Sequence, residues 1–187
     1  MTFRITRAGA KQRSAARRTI RNKIMKTEYL TQTESAKRSL EQIVAEHPFL
    51  RGMSPAHLAI LTDAAMLAEF EGGELLFREG DPANRFYLIR EGQVVLESPS
   101  GEGSAVPIQV IGAGDVLGWS WLFPPYSWRF DARTVGPVKA IFFYGTRLRE
   151  QCEADHDLGY ELMKRMTAVV IQRLQGTREQ LLQARTT

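Results

Sequence analysis

Cysteine is almost absent from this chain: its 187 residues hold one, Cys152. No internal disulfide can form, which excludes a disulfide-stapled secreted scaffold and suits a reducing compartment, so a cytoplasmic protein is expected. Long apolar runs are missing too. None approaches the ~20 residues that a membrane helix needs, and no membrane span is expected. Histidine is scarce, with His47, His57 and His156 all in segments that read as helical. A hydrolytic triad or a His-based metal centre needs histidines on neighbouring strands beside a nucleophile or carboxylate. The strand-like segments offer none, so neither an enzyme nor a metal site is expected, and no cofactor.

Acidic residues are missing from one end. Residues 1–26 carry Arg4, Arg7, Lys11, Arg13, Arg17, Arg18, Arg21, Lys23 and Lys26 and no Asp or Glu. The chain's net charge of +4 therefore hides a split: 16 basic against 21 acidic side chains follow the tail, a net charge of −5. A block of like charge without periodic apolar residues does not build a core. The expectation is a disordered basic extension over 1–30 and one domain over 31–187. The tail suits weak contact with nucleic acid or anionic lipid. It equally suits an organelle transit segment, or an upstream start with translation beginning at Met25.

What is present is ordinary for a globular protein: 43% apolar and 25% charged residues, enough to bury a core without staples. Leu40, Ile43 and Val44 mark an amphipathic helix over 33–46, stopped by His47-Pro48. Ser54-Pro55 opens a second helix as N-cap and first helical residue, with Leu58, Leu61, Ala65 and Leu67 at helical spacing. Beyond Phe70 come short β-type runs at 74–78, 85–90, 93–98, 106–111, 130–135 and 138–144. Glycine, aspartate and proline separate them, which argues for an all-β barrel or sandwich. Glu91-Gly92 reads as a tight hairpin. From Thr146 the helical period returns, and Leu158, Leu162, Met166, Val169, Val170 and Leu174 form a broad stripe with Lys164, Arg165, Gln172 and Arg173 largely off it.

Three fragments in order, Glu79-Gly80-Asp81-Pro82, Phe86-Tyr87-Leu88-Ile89-Arg90-Glu91-Gly92 and Gly114-Asp115-Val116-Leu117-Gly118, resemble a cyclic-nucleotide-binding domain of the Crp/Fnr kind. The resemblance covers roughly residues 35–183. It implies a mainly β fold, a double-stranded jelly-roll barrel with N-terminal helices and a long C-terminal helix. It further implies a ligand cassette near residues 114–134 made of a short helix and a turn between two strands. A cyclic phosphate there needs a cation and free backbone N–H groups, and the ribose needs a carboxylate acceptor. The cassette candidates are Leu117, Gly118, Trp119, Ser120, Trp121, Leu122, Trp128, Arg129, Phe130 and Arg133.

Within this set the side chains depart from the family pattern. Trp119 stands where the family has its ribose-binding glutamate, and an indole only donates. Arg129 has the spacing of the phosphate-binding arginine, but alignment of the next strand on Arg133 puts Trp128 there instead. Phe130 and Asp131 replace small residues, crowding the phosphate place and adding negative charge. Trp119, Trp121 and Trp128 either line a pocket that stacks a planar ligand or fill it.

Two functions stay open. One is a stand-alone regulatory module that senses a cyclic nucleotide or other small anionic or planar ligand and signals to a partner through its C-terminal helix. The other is a degenerate, ligand-free dimerisation or docking scaffold. A homodimer along that helix is expected. The helix-turn-helix of transcription factors of this family is not expected, since the chain ends at Thr187.

Overall fold

Proline and glycine set the joints of the molecule. The computed structural model describes residue 37, residues 39–99 and residues 105–184. Ile43–Thr187 forms one compact unit, distinct from Met1–Gln42. The expected extension over 1–30 and the start of the helix expected over 33–46 lie outside the described residues. Residues 39–46 are helical (α1), and His47, extended before Pro48, leads into a 3-10 turn at Pro48–Leu50. Ser54 caps α2 (Pro55–Ala64), its Oγ accepting from the His57 N–H at 3.2 Å.

One boundary differs from the sequence reading. Ala65 and Leu67 do not continue α2 but belong to strand β1 (Ala65–Phe70). Each of its six residues pairs antiparallel with a later strand, from Ala65↔Phe143 to Phe70↔Val138. That ladder overrides a helical spacing carried by two residues.

Seven further strands follow: β2 (Leu75–Phe77), β3 (Arg85–Glu91), β4 (Val94–Pro99), β5 (Ala105–Ile111), β6 (Val116–Leu117), β7 (Asp131–Thr134) and β8 (Val138–Tyr144). They form two four-stranded sheets, β1-β8-β3-β6 and β2-β7-β4-β5, the expected jelly roll. Tyr87, Ile89, Val94, Leu96, Ile111, Leu117, Ala132, Val138 and Ala140 pack between them as the core. Glu91-Gly92 is not a hairpin, because β3 and β4 lie in different sheets and the chain turns a corner there. Gly92 is required at that corner: its φ is +86°, and a Cβ would stand 2.2 Å from the Pro137 carbonyl oxygen.

After β8 come α3 (Gly145–Ala154) and α4 (His156–Ala184). Asp155 caps α4, its Oδ1 accepting from the Leu158 N–H at 3.0 Å. Leu158, Leu162 and Met166 are buried, whereas Tyr160, Ile171, Leu174 and Leu181 on other faces of the helix are exposed. Arg165 secures α4 to the 3-10 turn by donating to the carbonyls of Phe49 (2.7 Å) and Arg51 (2.9 Å). No helix among the described residues is long and apolar enough to cross a membrane.

Candidate functional site

The cassette is built by a left-handed glycine and a clamped loop. Gly118, at φ +89°, turns β6 into a 3-10 helix at Trp119–Leu122. The loop beyond it is fastened at its far end. The Ala83 N–H donates to the Tyr126 carbonyl, the Trp128 N–H to the Asp81 carbonyl at 2.9 Å, and the Gly80 N–H to the Trp128 carbonyl at 3.0 Å. The turn at Glu79-Gly80-Asp81-Pro82 thus fixes where Trp128 enters the barrel. Asp131 completes the clamp: its Oδ1 accepts from the Glu79 N–H at 2.8 Å. Its charge is therefore spent on a backbone donor of that turn.

Trp128 is buried, with 4% of its surface exposed. Its indole stacks on Phe77 at 3.8 Å between centroids and 13° between planes. Gly118 makes room for it, because a Cβ there would lie 2.8 Å from Cη2 and 2.9 Å from Cζ3 of the indole. The close approach that Gly118 allows is to Trp128. The register left open by the sequence takes one value: Trp128 faces inward and Arg129 is exposed.

Seven of the ten candidates come together around the remaining space. Leu117, Gly118, Trp119, Ser120, Trp128, Arg129 and Phe130 line a cavity of about 20 Å³ with Phe77, Leu96 and Arg173. That volume holds about one water. Three candidates lie elsewhere. Trp121 is fully buried against Phe86, at 5.7 Å between centroids. Leu122 ends the 3-10 helix. Arg133, on the opposite side of β7 from Ala132, donates to the Gly73 carbonyl at 3.0 Å and pairs with Glu97 at 3.5 Å.

Of the two residues that the resemblance offers for the phosphate cation's position, Trp128 is buried and Arg129 exposed, and Trp119, where the resemblance implies a carboxylate, has a donor as its only polar atom. A second, more open cavity of about 270 Å³ adjoins the same two rings and is lined by Trp128 and Phe77 with Leu76, Asp81, Asn84, Arg85 and Tyr87.

Arg173 is the site residue that the sequence reading missed. It reaches inward from α4 and its Nη2 donates to the Val116 carbonyl at the mouth of the cassette. Burial pulls its guanidinium below the usual arginine value, with Asp115 acting against that shift. The signal was available, since Leu158, Leu162, Val169 and Arg173 share one helical face. The sequence analysis places Arg173 largely off the apolar stripe, whereas the structure turns it toward the barrel. The same correction applies to Arg165. Cys152 is half-buried, and burial together with Asp155 and Glu153 pushes its thiol above the usual range, which suits an unreactive side chain.

With this geometry in view, the likenesses to known proteins become specific. Residues 67–155 match the family model of the cyclic nucleotide-binding domain. The chain is 27% identical over 142 residues to a CRP-like cAMP-activated global transcriptional regulator of Mycobacterium tuberculosis, covering 76% of this chain and 62% of that one. It is 32% identical over 82 residues to a cAMP-dependent protein kinase regulatory subunit of Emericella nidulans, covering 44% of this chain and 19% of that one. A cyclic nucleotide-binding domain from Methylobacillus flagellatus KT shares the fold, with a TM-score of 0.66 and 17% identity over 80% of this chain and 84% of that one. The chain contains a cyclic nucleotide-binding domain and has Crp-like relatives. It spans 62% of the length of the Mycobacterium relative.

Proposed function

We propose that the chain is a regulatory module of the cyclic nucleotide-binding kind whose cassette is filled by its own Trp128 and does not take cAMP or cGMP there. The observation that carries this reading is the indole held between Phe77 and Gly118, with about 20 Å³ left on the side lined by Leu117, Gly118, Trp119 and Ser120. Catalysis plays no part in it. The names of the relatives are regulatory.

Output runs through α4, which carries a second apolar face. Tyr160, Met163, Thr167, Val170, Leu174, Thr177 and Leu181 fall at alternating steps of three and four, and Tyr160, Leu174 and Leu181 are 63% or more exposed. That spacing suits a two-helix seam with a second copy of the chain. The single, unreactive cysteine fits a reducing compartment, so the cytoplasm is the proposed location. A basic extension over 1–30 ahead of one domain, contacting nucleic acid through charge alone, completes the reading. A salt-dependent gel shift shown by the full chain but not by a variant starting at Met25 is expected; equal shifts would overturn the nucleic-acid contact.

Titration calorimetry with cAMP and with cGMP tests the cassette reading. At about 1 mM nucleotide even a weak site is half filled, and no saturable heat is expected. Micromolar binding abolished by Arg129→Ala would instead establish the sensing of a cyclic nucleotide through the cassette, the second reading.

A further inference from the structure

Arg173 does more than border the cassette. Its guanidinium also lines a separate groove of about 490 Å³ between α4 and the β5–β6 side of the barrel. Gln109, Asp115, Gln172 and Glu179 supply polar walls there, and Phe49 an apolar one. The guanidinium offers five N–H donors in a fixed fork. Among the described residues it makes one hydrogen bond, to the Val116 carbonyl, and no ion pair. Buried cations are ordinarily paired with an anion, because a lone carbonyl only partly offsets the lost hydration. A contact meant solely to fasten α4 would need neither the spare donors nor a groove of this size. The volume lies in the range of about 300–1,000 Å³ typical of small-molecule sites.

We propose that this groove binds a small hydroxylated oxyanion, with the phosphate or carboxylate on the Arg173 fork and hydroxyl groups on the side chains of Gln109, Gln172 and Glu179. Asp115 and Glu179 bear on the ligand's charge. Two carboxylates in the walls favour an anion that also carries hydrogen-bond donors. A ligand here would press on α4 and on Val116 together, one residue ahead of the Leu117-Gly118 step into the cassette. The site does not depend on the cassette being closed, and its failure would leave that reading standing.

The test is calorimetry on the full chain in phosphate-free buffer with ribose 5-phosphate, AMP and gluconate, with uncharged ribose as the control. Phosphate and carboxylate sources are separated by which of the three anions binds. At least one is expected to give saturable binding, with ribose silent. Arg173→Gln is expected to weaken it by roughly tenfold or more, as loss of a charge-assisted pair does. Gly176→Glu is the second variant. Gly176 lines the groove, and a Cβ there meets nothing within 4 Å, so the chain tolerates the side chain while a negative charge enters the site. It too is expected to weaken binding, whereas Trp128→Ala leaves it unchanged. If Arg173→Gln does not fold, Gly176→Glu decides. The proposal is overturned if no anion binds at about 10 mM, a concentration that reveals even millimolar affinity, or if folded Arg173→Gln and Gly176→Glu bind as the wild type does.

Discussion

The Trp128 indole lies parallel to the Phe77 ring, 3.8 Å away, with its far edge where a side chain on residue 118 would begin. A position that could face a ligand's phosphate instead completes the hydrophobic core. An aromatic ring stacked in this way contributes its buried area and a further ~0.5–1.5 kcal/mol from the pair geometry.

Removing the ring should therefore be costly. Trp128→Ala is expected to lower unfolding free energy by about 3–5 kcal/mol, the usual range for a buried tryptophan. Urea unfolding followed by far-ultraviolet circular dichroism measures it. A loss below about 1 kcal/mol would mean the indole is not packed as described.

Gly118 and Trp128 should be coupled. Gly118→Ala meets two costs, the positive φ and the approach to the indole, expected to total about 2–4 kcal/mol. In a Trp128→Ala background the clash with the indole disappears, and the backbone part and the 3.2 Å approach to the Arg85 carbonyl oxygen remain, about 1–2 kcal/mol together. A double-mutant cycle with no coupling would contradict the contact.

His47 gives the fold a pH dependence. Its Nε2 donates to the Ile89 carbonyl at 3.1 Å while Nδ1 accepts from the Phe49 N–H at 3.3 Å, an arrangement only the neutral ring can make. Burial, opposed by the Ile89 bond and Asp115 and assisted by Arg90, lowers its pKa below 6.5. The unfolded chain thus binds the proton more readily than the folded one. The contribution is complete above about pH 6.5 and is lost as pH falls through the depressed folded value. Chemical denaturation between about pH 7.5 and 5 should show stability falling with acid, and His47→Gln should flatten that slope. An unchanged slope would remove His47 as its source.

The outer face of α4 should hold two chains together. Sedimentation equilibrium is expected to show a dimer, and Leu174→Glu, at a residue 69% exposed, a monomer with unchanged thermal stability of the barrel. A wild-type monomer at about 100 µM, well above the dissociation constants of stable dimers, would overturn the seam.

Most of the fold was legible because its signals are local. Ser54-Pro55, His47-Pro48 and the glycine-bounded apolar runs each state a boundary through backbone sterics. The failures are non-local. Ala65 and Leu67 read as helical because only the pairing of β1 with β8 makes them strand, and Glu91-Gly92 reads as a hairpin because nothing local says that β3 and β4 part company. At the cassette, backbone features such as Gly118 were readable, while the choice between Trp128 and Arg129 depended on a clamp to Gly80 and Asp81 some 50 residues earlier in the chain. Arg173 reads as lying largely off the apolar stripe because its partner, the Val116 carbonyl, is 57 residues away in the chain.

The central claim is tested most directly by nuclear Overhauser contacts from the Trp128 ring. The account predicts strong contacts from its Cη2 and Cζ3 protons to the Gly118 α-protons, and from the ring to Phe77, unaltered by saturating cAMP. Loss of those contacts on adding cAMP, with Trp128 moving into solvent, would show that the indole is a gate and that the cassette receives the nucleotide after all.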